Sequence, residues 1–459
     1  MPNAARVTTR LHRDDLAVTR RLLAVPAAQP DRRRVIFLNR FFYPDLSATS
    51  QMLTDLVSAM RHQGFEIHVI TSRQLYNQPH SAPLPVLDEY EGARVHRVKT
   101  SGFGRSALLG RMVDYLSFYF AAALQAARLT RAGDIIVALT DPPLLSVLGA
   151  LVARRNRAVL VNWLHDIYPE IATSLGYPAP AWISAVLRRQ RTWSLGVAAR
   201  NVVLGERMRQ FVDSLGVSPL KQRVIENWAD GSAVAPRPIQ WSAVRRSLGP
   251  EVEFVVQYSG NLGRAHEYQT LVGAAEALAH EPGVVILMVG DGALMQPLKH
   301  AVQQRGLTNV RFLPYQPREA LGDSLAAADV HLTCLLPALE GLIVPSKFYG
   351  ILAAGRPVIV IGDAQGEHAR VVRREECGVV VACGDGAGLA REIRRMRADA
   401  AWVQAAGQRA RHVFDRCYAL DLAAKKWLDV LATAHEAEQG HGEFVPDEGA
   451  GVAVASVPS

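Results

Sequence analysis

What most constrains the fold of this chain is an alternation that occurs twice. From Arg34 onward, short apolar runs of strand length alternate with amphipathic segments of helix length; the pattern then lapses and later resumes. Such alternation marks parallel strands joined by crossover helices. The first series predicts strands at 35–39, 66–71, 94–98, 134–139, 158–164, 201–204 and 223–226. The second predicts them at 253–258, 284–289, 310–313, 330–333, 357–361 and 379–382. Between the series, Asn227 to Pro250 carries Gly231, Pro236, Pro238 and Gly249 and reads as a linker with one short helix. One helix of the first series is announced by a cap at Ser47, Thr49 or Ser50 and should end near His62, with Gly64 just beyond. Another should start after Asp141-Pro142-Pro143, proline suiting a first turn.

The expected architecture is α/β, two Rossmann-like doubly wound domains facing a central cleft. A length of 459 residues fits two such cores better than one. A basic extension occupies 1–33, the first domain 34–228, the second 229–410 and C-terminal helices 411–436. Residues 437–459 lack periodicity and read as a disordered tail. At 49% hydrophobic and 20% charged residues the body is globular.

The formal charge of +8 is built almost wholly from arginine, because only six lysines occur; a lysine inside a motif is therefore informative. Four cysteines without a C-x-x-C pair fit reduced thiols and argue against zinc. No apolar stretch reaches the roughly 18–20 residues of a membrane span, and the N-terminus lacks a secretory h-region, so a cytoplasmic protein is expected.

Leu339-Glu340-Gly341-Leu342-Ile343-Val344-Pro345-Ser346-Lys347 carries the most chemistry. A strand ends near Thr333, Glu340-Gly341 lies in a turn, and Pro345-Ser346 opens a helix. The free amides at Ser346 and the Lys347 ammonium suit a diphosphate; punctuation of a βαβ unit is the plainer alternative. After the first strand of the second series, Gly260, Asn261, Gly263 and Arg264 form a loop in which backbone approaches a ligand and a guanidinium meets a phosphate, or else a tight turn with a surface arginine. Gly290-Asp291-Gly292 repeats the strand-to-helix arrangement, and Tyr315 follows the next strand. In the first series, Asp45, Ser47 and Thr49 lie in the loop after strand one, the usual ligand loop of a doubly wound sheet. His165 and Asp166 end another strand; Asp166 either orients the imidazole or caps the next turn.

Taken in this order, the motifs resemble the GT-B glycosyltransferases of the family 4 type, over most of Arg34 to Trp427. Pro-Ser-Lys at the helix start and His165-Asp166-Ile167-Tyr168-Pro169-Glu170 are similar to the subgroup that assembles bacterial surface polysaccharides. The resemblance implies a retaining transferase that moves a hexosyl-type sugar from a nucleotide-diphosphate donor to a hydroxyl acceptor. That acceptor would be a polyprenyl-linked glycan at the inner face of the cell membrane. It makes the first domain the acceptor side and the second the donor side. Glu340, Gly341 and Leu342 would meet the donor sugar, Gly290 and Asp291 the nucleotide, Tyr315 the base, and His165 the transferring sugar from across the cleft. The family's second acid, eight residues past Glu340, is here Phe348, or Gly350 if aligned on Ala-Ala-Gly-Arg-Pro, so the ribose contact is unassigned. Arg264 and Lys347 together would replace the family's Arg and Lys pair, since Asn261 and His266 hold the corresponding places.

No D-x-D triplet exists, so no metal ligand and no cofactor are expected, with nucleotide sugar as substrate and no nucleic-acid partner. Gly102 to Ala107 mimics a dinucleotide fingerprint but follows the third strand and lacks the distal acid. The other classes compatible with these residues are a nucleotide-sugar epimerase and a non-catalytic anionic-ligand or membrane-surface binder. Leu108 to Leu129, with Leu109, Met112, Tyr115, Leu116, Tyr119 and Phe120 bordered by Arg105, Arg111 and Arg128, is either a core-facing helix or one that lies at a membrane surface.

Overall fold

A computed structural model describes residues 33–76, 82–103, 108–177 and 179–439. The basic extension up to residue 32, residues 104–107 with Arg105, and the tail beyond 439 lie outside the described residues.

The first lobe is an eight-stranded sheet. Its strands are β1 (Arg34–Leu38), β2 (Glu66–Ser72), β3 (Leu87–Tyr90), β4 (Ala93–Val98), β5 (Ile135–Ala138), β6 (Val159–Leu164), β7 (Arg200–Val203) and β8 (Gln222–Val224). The spatial order is β3-β4-β2-β1-β5-β6-β7-β8. All neighbours pair in parallel except β3, which runs antiparallel to β4 with Leu87 opposite His96. Helices α1 (Ala48–Met60), α2 (Leu108–Leu129), α3 (Leu145–Asn156), α4 (Glu170–Ser174), α5 (Ala181–Val197) and α6 (Glu206–Ser214) cover its faces. With both faces covered, β6 buries all six residues, apolar save for Asn162, whose amide donates to Asn201 Oδ1 at 2.9 Å.

The second lobe follows the short helix α7 (Ala243–Ser247). Its strands are β9 (Phe254–Ser259), β10 (Val284–Val289), β11 (Val310–Leu313), β12 (Val330–Cys334), β13 (Val358–Ile361) and β14 (Gly378–Val381). They form an all-parallel sheet of order β11-β10-β9-β12-β13-β14. Its helices are α8 (Gln269–Ala277), α9 (Met295–Gln304), α10 (Leu321–Ala326), α11 (Lys347–Ala353), α12 (Glu367–Arg374) and α13 (Gly386–Ala398). Both sheets reverse their strand order beside the first strand of the lobe, the place where such sheets open a ligand crevice.

Two long helices, α14 (Ala400–Cys417) and α15 (Leu420–Gln439), close the chain. The expected domain boundary at 410 falls inside α14, which is continuous. Then α15 returns to the first lobe and packs on α1 and β6. Trp427 lies 4.7 Å, ring to ring, from Trp163 of β6, and Trp163 stacks at 5.7 Å on Trp228 at the start of the linker.

Three local expectations are corrected. Ser47 is the N-cap residue of α1, but its side chain accepts no capping bond; the Asp45 carboxylate takes the Ser47 amide instead, at 2.8 Å. Pro142 and Pro143 precede α3 rather than open it, and Leu144 stands between in the left-handed region at φ 65°. The helix after Gly290-Asp291-Gly292 begins only at Met295. No helix of the described residues is long and apolar enough to cross a membrane.

Candidate functional site

The candidate donor site of the second lobe is built on two glycine turns laid against each other. Gly260, at φ 125°, follows β9, and Gly290, at φ 124°, follows β10. A Cβ on Gly290 would stand 2.3 Å from the Gly260 carbonyl oxygen, and one on Gly292 would stand 2.4 Å from that of Leu262. The turns are laced by Leu262 N–H to Asp291 O at 2.7 Å and Leu294 N–H to Leu262 O at 3.0 Å. Only glycine permits both the backbone conformation and the approach. Gly290→Ala should therefore splay the two turns and weaken nucleoside-diphosphate binding by roughly tenfold or more. Titration calorimetry with UDP checks this; an unchanged affinity would mean that the turns do not shape the pocket.

Lys347 opens α11 and reaches this pair of turns. Its ammonium donates to Tyr258 Oη at 2.5 Å, to the Asn261 carbonyl at 3.4 Å and to His266 Nε2 at 3.3 Å, and it sits 4.3 Å from the Tyr258 ring centroid. His266 donates Nδ1–H to the Cys334 carbonyl at 2.7 Å, which leaves Nε2 as a lone-pair acceptor. Burial, then the Lys347 charge, drive the His266 pKa down to about 3, so the ring is neutral. Every partner of Lys347 is thus neutral. Burial lowers its own pKa to about 8, with the nearby Cys334 thiol pulling the other way. A half-buried cation without a carboxylate partner is poised for an anionic ligand. Arg264, exposed on the same loop, holds its guanidinium 5.2 Å from the ring of Tyr177 in the first lobe, so it spans the gap between lobes. Ser346 is half-buried at the N-cap of α11 and its hydroxyl makes no capping bond. Tyr315 is 49% exposed, and burial followed by the Asp291 charge raises its phenol to about 12.

Glu340 turns toward α12. Its Oε2 accepts the Glu367 amide at 3.1 Å, and Gly366 leaves it room, since a Cβ there would lie 2.3 Å from Oε1. Burial, against the relief of that amide bond, raises its pKa to about 7, and Asp363 and Glu367 push the same way. Glu367 in turn accepts the Arg207 amide from the first lobe at 2.9 Å. Gly341, at φ 79°, lies under the Arg207 carbonyl. The Leu342 carbonyl accepts Ile167 N–H at 3.0 Å, and Ile343 bridges to Asp166. The segment 340–343 is therefore the seam where the lobes meet, and Leu342 itself is buried there.

That seam brings the segment of His165 and Asp166 beside 342–343. His165, 7% exposed, packs its ring 4.7 Å from Trp163, and its Nε2 has no partner. Burial holds its pKa near 3. The Asp166 backbone N–H donates to Thr140 Oγ1 at 3.2 Å; burial, then the Asp141 charge, raise its carboxyl to about 7. The Asp45 carboxylate is occupied by the amides of Ser47 and Tyr76, the latter at 2.5 Å, so it fixes the loop. Ser47 and Thr49 are half-buried beside it. Sequence reading did not single out Tyr258, Arg207, Glu367, Tyr177 or Arg40. Arg40 pairs with the buried Asp114 at 3.5 Å and lies 5.1 Å from the Tyr115 ring, just past the end of β1. Its place after a strand was the available signal.

Two facing α/β lobes, with a glycine-walled cationic pocket at their seam, define a GT-B glycosyltransferase. The chain belongs to the group 1 glycosyl transferases: the family model described as "Glycosyl transferases group 1" matches residues 240–413, and that described as "Glycosyl transferase 4-like domain" matches 47–228. It is 28% identical over 292 residues to the probable glycosyltransferase WbjE of Pseudomonas aeruginosa, covering 63% of this chain and 72% of that one. It is 25% identical over 341 residues to the putative colanic acid biosynthesis glycosyl transferase WcaI of Escherichia coli, covering 71% and 82%. Among solved structures, sucrose-phosphate synthase from Thermosynechococcus elongatus superposes with a TM-score of 0.71 at 19% identity, covering 88% of this chain and 100% of that one. Anabaena HepE in complex with UDP and glucose superposes at 0.66 and 18% identity, covering 88% and 100%.

Proposed function

We propose that this glycosyltransferase moves a hexosyl-type sugar, with retention and without a metal ion, from a nucleoside-diphosphate donor to a hydroxyl of a polyprenyl-linked glycan during bacterial surface-polysaccharide assembly. The observation that carries the reading is the Lys347 ammonium, surrounded by neutral acceptors only and aimed at two glycine turns. The names of WbjE and WcaI, and the UDP and glucose bound by Anabaena HepE, support the class of substrate.

In this reading the diphosphate takes the place of the weak bonds from Lys347 to Asn261 and His266. The bond from the anomeric carbon to the diphosphate oxygen breaks while the acceptor oxygen bonds the same face, and the acceptor proton passes to the departing diphosphate. Negative charge grows on that group as the bond breaks, so Lys347, Arg264 and the amides at Ser346 bind the transition state more tightly than the ground state. Glu340 grips the donor sugar, Tyr315 faces the base, and His165 lines the sugar's other side. The seam between 340–343 and 165–167 keeps water from the reacting centre.

Mass spectrometry of products from UDP-, GDP-, ADP- and dTDP-sugars, offered with a polyprenyl-diphosphate-sugar acceptor, tests the reading. One donor class should give a glycosylated lipid whose new linkage, by NMR, keeps the donor's anomeric configuration. Donor incubated alone should return unchanged as the same sugar. An inverted linkage would refute retention, and equilibration of the free donor to its epimer would point to an epimerase.

A further inference from the structure

The outer side of the helix layer α2, α3 and α5 is out of character with the rest of the surface. The positions of α2 most open to solvent are Leu109, Met112, Val113, Leu116, Phe120 and Leu124, with Phe120 75% exposed, and the stripe ends at Arg128. Its opposite side buries Asp114, Phe118, Ala122 and Ala126. The helix is therefore apolar on both sides, though only one side has a partner among the described residues. Neighbouring α3 packs on α2 and exposes Leu151; α5 packs on α3 and exposes Trp182, at 70%, with Val186 and Trp193. An uncovered apolar face of this size marks an interaction surface.

Charge says what covers it. The three helices contain seven arginines and one acid, Asp114, which is buried and paired with Arg40. Exposed Arg128, Arg154, Arg155 and Arg189 pair with no carboxylate among the described residues. A second copy docking here about a two-fold axis would set these arginines against themselves with no acid to neutralise them. Arg188 and Arg191 of α5 share Glu170 of α4, at 3.5 and 2.8 Å, and that carboxylate is already spent on them. An apolar stripe with tryptophans and a predominantly cationic border fits a phospholipid surface of negative charge. The same helix also faces the acceptor side: Tyr115 lies beside Arg40, and the Tyr119 hydroxyl donates to the Pro143 carbonyl.

We propose that α2, α3 and α5 lie flat on an anionic membrane, with the stripe Leu109 to Leu124 sunk among the acyl chains and the arginines among the phosphates. This rests on the reading that the acceptor is lipid-linked: the inward side of α2 then borders the acceptor pocket while its outward side meets the bilayer that carries the acceptor.

Co-sedimentation of the full chain with vesicles of phosphatidylcholine alone, or with roughly one third phosphatidylglycerol, tests the face directly. Wild type should pellet with the anionic vesicles, weakly with the neutral ones, and less as salt rises. Leu116→Glu with Phe120→Glu should lower partitioning by about tenfold or more, and Trp182→Ser, made separately, should lower it to a smaller degree. UDP titration of each variant verifies the fold and keeps this test apart from the donor-site reading. No binding of wild type to anionic vesicles, or equal binding by a folded Leu116→Glu/Phe120→Glu variant, overturns the proposal. A wild-type dimer that the double variant renders monomeric, by light scattering, overturns it in favour of a second copy.

Discussion

Lys347→Met is expected to lower kcat/KM for the donor by roughly 100- to 1,000-fold while the protein stays folded. Methionine fills most of the lysine's volume and leaves Tyr258 and His266, both neutral, without a buried charge to answer. What disappears is the half-buried cation that Lys347 holds at the glycine turns. A purely structural lysine would give the opposite pattern, lowered stability with little change in turnover. The pH dependence separates the two further. In the free protein Lys347 loses its proton near pH 8, below the ordinary 10.5, because burial disfavours the charged form. It is charged below that value and neutral above it, so kcat/KM should fall as pH rises through about 8. In Lys347→Arg, whose side chain stays protonated, that alkaline limb should vanish even if the maximum is reduced. Steady-state rates from pH 6.5 to 9.5, roughly a span of one and a half units either side of the midpoint, decide this. A limb that survives in the arginine variant would assign it to another group.

The largest loss of stability is expected from Trp427→Ala, about 3–5 kcal/mol. Trp427 is fully buried with its ring 4.7 Å from that of Trp163 of β6, and Trp163 in turn stacks at 5.7 Å on Trp228, where the linker begins. It joins the last helix, the first sheet and the linker in a single packed cluster. Deleting the indole leaves a cavity that three separately anchored elements cannot close. Nearby, Ala229 N–H bonds the Tyr418 carbonyl at 3.3 Å and Lys426 pairs with Glu226 at 2.9 Å, so the two crossings between lobes run side by side. Urea unfolding followed by tryptophan fluorescence and by circular dichroism measures the effect. A loss below about 1 kcal/mol would mean that α15 is an ornament on the first lobe rather than part of its core.

Much of the fold was legible because both sheets, apart from the edge strand β3, are parallel and buried on both faces. Strands such as β10 and β13 are unbroken apolar runs, and the linker glycines and prolines separate the series. The missing strand was β3, whose Leu87-Asp88-Glu89-Tyr90 is mostly exposed and pairs on one side only, so it carries no apolar signature. The pocket was legible where chemistry is local. The scarcity of lysine singled out Lys347, and a glycine after a strand singled out Gly260 and Gly290. Pairings across the seam were not, since Glu367 and Arg207 are 160 positions apart and nothing local relates them. Nor was the outward face of α2, because a helix apolar all round does not say which side the fold covers; only the burial of Phe118 and Ala122 against the sheet settles that.

The account turns on side-chain cations, Lys347 foremost, doing at the leaving diphosphate what a divalent ion does in other transferases. Transfer rates of enzyme stripped with EDTA, measured beside the same enzyme supplied with manganese or magnesium, address that claim most directly. The account predicts equal rates in all three conditions. Activity lost in EDTA and restored by manganese would contradict it.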